Sequence, residues 1–206
     1  MGKDIELACR CGEVHGVLRD AAASNVNRVV CYCDDCQAFL HHLGRSDILD
    51  AFGGTDIVQA APSAVRYDRG ADRIAGVRLS EKGLLRFYAS CCKTPLGNTV
   101  GPAVPFVGMA SEVFRDLPDS AARDGAFGPA RCAMFGQFAV GTTSKPKRPT
   151  LGMIAHASRL MLGWKLRGRA WPHPFFERGR KDPVPPVTVL SREEREALRP
   201  LCGPKA

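Results

Sequence analysis

Nine cysteines stand out among the residues that can do chemistry, and seven of them fall in three groups. The groups are Cys9 with Cys11, then Cys31, Cys33 and Cys36, and finally the adjacent pair Cys91 and Cys92. An odd number of cysteines disfavours a complete disulfide framework, and thiols that are close in sequence converge at little cost in loop entropy. Because clustered thiolates are preferred zinc ligands, the sequence predicts a zinc-thiolate protein with one or two Zn²⁺ ions.

The triplet Cys31-x-Cys33-x-x-Cys36 is the most informative motif, because three thiols within six residues can point at one ion. Three thiolates leave the fourth position of tetrahedral zinc to water or a substrate thiol, as in catalytic sites. Zinc also lowers the pKa of a bound thiol and polarises a carbonyl group. The triplet is therefore the predicted catalytic group, for addition of a thiol to an aldehyde or the reverse reaction. In the alternative interpretation, a fourth protein ligand closes the site.

The elements around these cysteines are short strands and one helix. Residues 5–19 alternate apolar and polar side chains on both sides of the turn Cys9-x-Cys11-Gly12, which predicts two strands that form a zinc knuckle. A β-branched strand is predicted for residues 27–33. Helical character follows over residues 34–40, with Asp34 as the expected N-cap. Cys36 is then expected in the first helical turn.

The rest of the chain is predicted to form a mainly β domain with a helical, basic C-terminal extension. Further strands are expected at residues 56–59, 64–67, 77–79, 84–89, 104–109 and 133–140. Because the last of these strands ends at residue 140, residues 1–143 are assigned to a zinc-thiolate β domain. Residues 144–206 are assigned to a polar linker, a basic helix over residues 151–166 and an extended tail, in which Ser191 and Glu194 form a capping box before a last short helix.

Charge is unevenly distributed along the chain. The 29 basic and 21 acidic residues give a net charge of +8, and most of the surplus lies in residues 145–180, where Glu177 is the single acid. The basic residues of the cysteine domain form no run, so the signal for nucleic-acid binding is weak. The basic helix is expected to pack its apolar side on the β domain, with contact to an anionic membrane surface or an acidic partner as the alternative.

No apolar stretch of the chain is long enough to predict a membrane span. The charged N-terminal residues also lack the pattern of a signal peptide. We therefore expect a cytoplasmic location.

The combined cysteine motifs resemble those of the glutathione-dependent formaldehyde-activating enzyme family, which includes centromere-protein-V-like proteins. The resemblance covers roughly residues 5–140: C-x-C-G, then C-x-C-x-x-C, then an aromatic strand that ends in Cys-x-Thr-Pro-Leu. It implies an Mss4-like β-rich fold with two zinc sites. A structural ion would be bound through Cys9 and Cys11, and a catalytic ion through Cys31, Cys33 and Cys36, where the thiol glutathione meets formaldehyde.

The third cysteine group departs from the family pattern, which usually reads aromatic-Cys-x-x-Cys-Gly-Thr. Here Ala89 replaces the first family cysteine, Cys92 matches the second, and Lys93 replaces the glycine. Cys91 is the natural substitute, although adjacent side chains point to opposite sides of an extended chain. Three arrangements stay open: Cys91 completes the structural site, Cys91 reaches the second ion, or one ion is bound in total.

Polar residues near the triplet are secondary candidates. His41 could approach the second ion, and Asp34 and Asp35 could hydrogen-bond to a metal ligand or act as a general base. Arg28 or Arg86 could balance thiolate charge or hold a carboxylate of glutathione. The leading hypothesis is a zinc-dependent carbon-sulfur lyase-like protein that handles a glutathione-like thiol and a small aldehyde. The rival is a non-catalytic zinc-binding module whose basic C-terminal helix binds a protein, nucleic acid or an anionic membrane.

Overall fold

The computed structural model describes residues 2–141 and 150–204, and these residues form two sheets and four helices. The strands are β1 (Lys3–Ala8), β2 (His15–Ala21), β3 (Asn27–Cys31), β4 (Thr55–Ala60), β5 (Val65–Arg69), β6 (Ile74–Arg78), β7 (Leu85–Ala89), β8 (Pro95–Thr99), β9 (Val107–Ala110), β10 (Ala133–Met134) and β11 (Val187–Val189). The helices are α1 (Asp34–His42), α2 (Ser120–Phe127), α3 (Leu151–Leu166) and α4 (Arg192–Leu198). The prediction of a sheet-rich fold with a C-terminal helix is confirmed.

Two sheets with different connectivity carry the cysteines. One has the order β1-β2-β5, and the other has the order β10-β3-β4-β9-β8-β7-β6-β11. Pairing is antiparallel except at the two edges of the larger sheet, where β10 and β11 run parallel to β3 and β6. The β1-β2 hairpin and the β7-β8 hairpin each present a cysteine pair, and β3 leads into α1 through the third group.

The main core lies around the strands of both sheets. It contains Leu7 and Leu18 from the small sheet, Phe87 and Leu96 from the large one, and Phe175 from the C-terminal segment. The ring of Phe175 stacks on that of Phe87, with 3.9 Å between centroids. Phe175 follows α3 in the chain, and its ring is fully buried.

Two glycines in the strands of the large sheet make room for side chains of the C-terminal segment. A Cβ at Gly97 of β8 would lie 3.0 Å from the ring of Phe175, and a Cβ at Gly76 of β6 would lie 2.7 Å from Val187 of β11. Contacts below about 3.4 Å leave no room for a methyl group without displacement of the neighbour. The two glycines thus let the C-terminal segment approach the large sheet closely.

Two expected elements differ in the structure. The strand expected at residues 133–140 is confined to Ala133–Met134, because Phe135 adopts φ +57° and a single 3₁₀ turn follows. The N-cap of α1 is Cys33, whose sulfur accepts a hydrogen bond from the N–H of Cys36, and Asp34 is already the first helical residue.

The C-terminal extension packs on the rest of the chain. Leu160 and Trp164 of α3 are buried against Ala61 and Phe106. The capping box of Ser191 and Glu194 begins α4, as the sequence predicts. The linker of residues 144–149, and with it the boundary drawn between residues 143 and 144, lies outside the described residues.

Among the described helices, none combines the length and the apolar composition that crossing a membrane requires.

Candidate metal centres

The first half of one cysteine cluster is built by the turn of the β1-β2 hairpin. Cys9 is fully buried, its N–H donates to the carbonyl of Val14, and its sulfur accepts from the N–H of Val14 at 3.3 Å. Gly12 closes the turn with φ +79° and donates its N–H to the carbonyl of Cys9. Backbone hydrogen bonds thus fix the position of the Cys9 sulfur within the turn.

The second half comes from the β7-β8 hairpin. The N–H of Lys93 donates to the carbonyl of Ala89 at 2.8 Å, and Lys93 itself has φ +59°. This left-handed residue turns the backbone sharply directly after Cys91 and Cys92. Both thiols therefore reach the same cluster, which neighbouring residues of an extended strand could not do.

Four sulfur atoms converge at this first centre, which consists of Cys9, Cys11, Cys91 and Cys92. The sulfur of Cys11 lies 3.5 Å from that of Cys9 and 3.3 Å from that of Cys91. The separations Cys9–Cys91 and Cys91–Cys92 are both 3.9 Å. Four thiolates around a tetrahedral ion with metal–sulfur bonds of about 2.3 Å are about 3.8 Å apart, so the cluster fits a metal ion. The arrangement corresponds to the first of the three expectations for Cys91.

Thr94 is a residue of this centre to which the sequence gave no role. Its hydroxyl accepts from the N–H of Arg10 at 2.9 Å and lies 3.2 Å from the sulfur of Cys92. Burial raises the pKa of the Cys92 thiol, but hydrogen bonds from the Thr94 hydroxyl and from backbone N–H groups outweigh it and lower that pKa to about 6. The position of Thr94 directly after the Cys91-Cys92-Lys93 run was the available signal.

The second centre consists of Cys31, Cys33 and Cys36. Cys31 ends β3, Cys33 caps α1, and Cys36 occupies the first helical turn. Their sulfur atoms lie within 4.8 Å of one another, and those of Cys31 and Cys33 are 3.4 Å apart. The N–H of Cys36 donates to the sulfur of Cys33 at 3.3 Å. The strand-to-helix junction thus points three thiols at one location, as the spacing predicts.

A buried arginine flanks this second centre. Arg86 of β7 is 2% exposed, and its Nη1 donates to the sulfur of Cys36 at 3.7 Å. Hydrogen bonds from the thiols of Cys31 and Cys33, and after them the charge of Arg86, hold the pKa of the Cys36 thiol well below its ordinary value. Hydrogen bonds with Cys33 and with Cys36, together with burial, raise the pKa of the Cys31 thiol. Of the two candidate arginines, Arg86 is the one beside the thiols.

The two centres differ in the number of ligands. In the described part of the chain, the first group contains four metal-binding side chains and the second contains three. The remaining residues, 1, 142–149 and 205–206, include no Cys, His, Asp or Glu. His41 is outside the second group. The second centre therefore offers a metal ion three sulfur ligands from the chain.

The acidic candidates at the start of α1 are ion-paired. Nη2 of Arg195 in α4 lies 2.7 Å from Oδ1 of Asp35 and 3.3 Å from Oδ2 of Asp34. Nη2 of Arg86 is 3.9 Å from Oδ2 of Asp35. These contacts dock α4 against α1 beside the second centre. Both carboxylates are therefore ion-paired beside the second centre.

Arg28 has a different role from the one expected. It is 3% exposed, donates from Nη2 to Asp56 at 2.8 Å and also pairs with Asp124. A third contact joins its Nη1 to the carbonyl of Gly128. Arg28 therefore ties β3 to β4 and to the region of α2, and its charge is already neutralised.

A family model described as a family of unknown function, DUF6151, matches residues 1–187. The chain belongs to this family. The matched range includes both cysteine centres and most of the C-terminal segment that packs on the large sheet. No curated protein matches the chain.

Proposed function

We propose that this protein is a zinc-dependent enzyme of the carbon-sulfur lyase type, which joins a thiol to a small aldehyde and releases it again. The observation that supports the proposal is the different number of thiols in the two centres: four converge in one and three in the other. A closed set of four thiolates is typical of structural zinc, whereas three protein ligands leave a position for a substrate. We therefore assign a structural role to the first centre and a catalytic role to the second.

Zinc is the proposed ion because both centres consist of cysteine alone. Sets of three or four thiolates favour zinc or iron-sulfur clusters over magnesium, calcium and manganese, which prefer oxygen ligands. The resemblance to the glutathione-dependent formaldehyde-activating family supports the same assignment, and an Mss4-like fold is part of the proposal. Glutathione and formaldehyde are accordingly the first substrates to test.

The chain's own residues prepare the second centre in three ways. Cys31, Cys33 and Cys36 hold the ion, and the backbone N–H of Cys36 withdraws charge from the sulfur of Cys33. Arg86 offsets the one negative charge that remains when three thiolates bind a divalent cation. A recess beside Cys36 and Arg86 gives a ligand access to this side of the cluster. The bound metal would supply Lewis acidity that lowers the pKa of a thiol and polarises a carbonyl.

The proposed reaction balances without an oxidant or a reductant. A bond forms between the thiol sulfur and the carbonyl carbon while the π bond of the carbonyl breaks. The thiol proton ends on the former carbonyl oxygen, and the product is a hydroxyalkyl thioether. In the reverse direction the carbon-sulfur bond breaks and the aldehyde leaves.

The test is the exchange rate between free glutathione and its formaldehyde adduct, measured by NMR with the full-length zinc-loaded protein. The uncatalysed exchange is subtracted. We expect the protein to accelerate exchange and Cys36→Ala to abolish the acceleration, while Cys202→Ala, outside both centres, retains it. A zinc-loaded protein that leaves the exchange rate at the uncatalysed value contradicts the proposal.

A second candidate function rests on the outer face of α3. Leu151, Leu162 and Leu166 are 85%, 57% and 78% exposed, and the basic side chains of Arg159 and Lys165 are exposed on the same helix. Apolar side chains next to basic ones are typical of helices that lie on anionic membranes. In this alternative the zinc centres are purely structural and α3 carries the function. Sedimentation with vesicles rich in phosphatidylserine tests it: wild type should bind and Leu162→Glu should not, and equal recovery of both in the supernatant contradicts it.

A further inference from the structure

A small recess adjoins the open side of the second metal centre. It lies between α1 and the face of the large sheet that α1 covers, it has a volume of about 20 Å³, and it is partly open to solvent. Cys36 and Arg86 line it together with Thr55 and Asn98. This volume is far below the range of about 300–1,000 Å³ that sites for whole ligands occupy, and it leaves room for roughly one or two water-sized groups, such as the oxygens of a carboxylate.

The register of the sheet brings these side chains together. Thr55 of β4 is directly opposite Cys31 of β3, and Arg86 of β7 is directly opposite Asn98 of β8. Side chains of directly opposite residues lie on the same face of a sheet. At Gly108, which faces Asn98 across β8-β9, a Cβ would lie 2.8 Å from Oδ1 of Asn98. The absence of a side chain at Gly108 leaves room for Asn98 in the recess.

Arg86 makes few hydrogen bonds for a buried, charged side chain. Its partners among the described residues are the sulfur of Cys36 at 3.7 Å, Asp35 at 3.9 Å and the ring of Phe39, whose centroid is 5.4 Å from Cζ. A guanidinium has five N–H donors, and a buried one is stable only when its charge and donors are well matched. Arg86 therefore retains donor capacity at the recess.

Thr55 provides a second, independent indication of a ligand. Its side chain is 4% exposed, and its buried hydroxyl oxygen has no hydrogen-bond partner in the part of the chain that the structure describes. A buried hydroxyl without a partner costs about 1–3 kcal/mol, so such groups usually face a ligand or water. A hydroxyl and a guanidinium in one recess are complementary to a carboxylate.

We propose that the recess binds the carboxylate of a short-chain mercaptocarboxylic acid, and that this acid is the thiol substrate of the second centre. The inference rests on the proposed function and narrows its substrate class. Because Arg86 lies 3.7 Å from the sulfur of Cys36, a carboxylate on Arg86 requires a carbon chain of only a few atoms for its thiol to face the cysteine triplet. One guanidinium matches one carboxylate, so a compact monocarboxylate fits better than the larger, doubly carboxylated glutathione.

The experiment compares two ligands of equal length by isothermal titration into the full-length zinc-loaded protein. They are 3-mercaptopropionate and 3-mercaptopropan-1-ol, which differ in the carboxylate alone. A charge-assisted contact to a buried guanidinium predicts at least about 10-fold tighter binding of the acid. Glutathione serves as the third ligand and should bind more weakly than 3-mercaptopropionate.

Thr55→Val keeps the shape of the side chain and removes a hydroxyl that has no partner within the protein, so the variant should fold and retain both metal ions. We expect a loss of about 3-fold to 10-fold in affinity for 3-mercaptopropionate and no change for 3-mercaptopropan-1-ol. Thr188→Val, at an exposed position of β11 outside the recess, is the matched control and should change neither affinity.

The outcomes separate this inference from the proposed function. Equal affinity for the acid and the alcohol, or unchanged affinity of Thr55→Val for the acid, overturns the carboxylate site and leaves the thiol-aldehyde proposal standing. Tighter binding of glutathione than of 3-mercaptopropionate overturns the short-chain assignment. Failure of all three thiols to bind contradicts the proposed function itself, and this inference with it.

Discussion

The sulfur atoms of Cys11 and Cys91 lie 3.3 Å apart although 80 residues separate them in the chain. Cys11 belongs to the turn of the β1-β2 hairpin, and Cys91 to the turn of the β7-β8 hairpin. The first centre therefore connects the small sheet to the large one at a point where the two hairpin turns meet. A metal ion there closes a long loop, which gives the greatest entropic stabilisation.

Loss of one sulfur from the first centre should destabilise the whole fold. For Cys91→Ser we expect loss of one metal equivalent per chain and a destabilisation on the order of 3 kcal/mol, which lowers Tm by about 10 °C. Metal analysis and calorimetry measure the two effects. Cys202→Ser is the control and should retain both the metal content and the Tm of wild type. An unchanged metal content in Cys91→Ser would contradict the role of Cys91 as a ligand.

Loss of one sulfur from the second centre should have a smaller effect on stability. Cys31, Cys33 and Cys36 are neighbours in sequence, so a metal ion there closes only a short loop at the junction of β3 and α1. Cys33→Ser should lose one metal equivalent, as Cys91→Ser does, but should lower Tm by less than half as much. A Tm as low as that of Cys91→Ser would show that the second centre is also a structural one.

The inner and outer faces of α3 should respond differently to the same substitution. Leu160 is 8% exposed and Leu162 is 57% exposed. Leu160→Ala should therefore lower the free energy of unfolding by about 2–4 kcal/mol, and Leu162→Ala by less than about 0.5 kcal/mol, as measured by urea denaturation. Similar values for both leucines would contradict the packing of α3 on Ala61 and Phe106.

His173 should make the fold sensitive to moderate acid. Burial lowers the pKa of its imidazole from 6.5 to about 4, and Nδ1 accepts a hydrogen bond from the N–H of Phe175. Between pH 6.5 and 4 the unfolded chain binds more protons at this residue than the native chain. The free energy of unfolding therefore falls as the pH drops, by up to about 3 kcal/mol at pH 4.

The contribution of His173 can be separated from acid-induced loss of metal by its own variant. His173→Asn retains an acceptor for the N–H of Phe175 and does not titrate in this range. Urea denaturation at pH 7 and pH 5 should show a smaller pH-dependent loss of stability in the variant than in wild type. Identical losses in both proteins would show that His173 does not contribute.

The cysteine spacing was sufficient to predict the cluster of Cys31, Cys33 and Cys36 and the pairing of Cys9 with Cys11, because each of these motifs is short and its turn chemistry is local. The triplet of Cys31, Cys33 and Cys36 was assigned from sequence alone to the end of a strand and the start of a helix, where the structure has it. The position of Cys91 was not predictable, since it depends on the left-handed conformation of Lys93 and on the distance between two hairpins. Neither property is contained in the local pattern.

Tertiary packing explains the elements that the sequence did not indicate. β8 contains Pro95 and Gly97, residues that weaken a strand pattern, yet Gly97 is what allows Phe175 to pack against the sheet. β11 has three residues and is specified by its pairing with β6. The recess depends on side chains from β4, β7 and β8 and on the register between them, which no linear motif encodes.

The central claim is that one centre is closed by four sulfur atoms of the chain and the other is open. Anomalous diffraction at the zinc edge from crystals of the zinc-loaded protein tests it most directly. We predict one ion bound by Cys9, Cys11, Cys91 and Cys92, and a second ion bound by Cys31, Cys33 and Cys36 with a water molecule or added thiol as its fourth ligand. A second ion whose fourth ligand is a side chain of the protein, or a single ion per chain, would contradict the account.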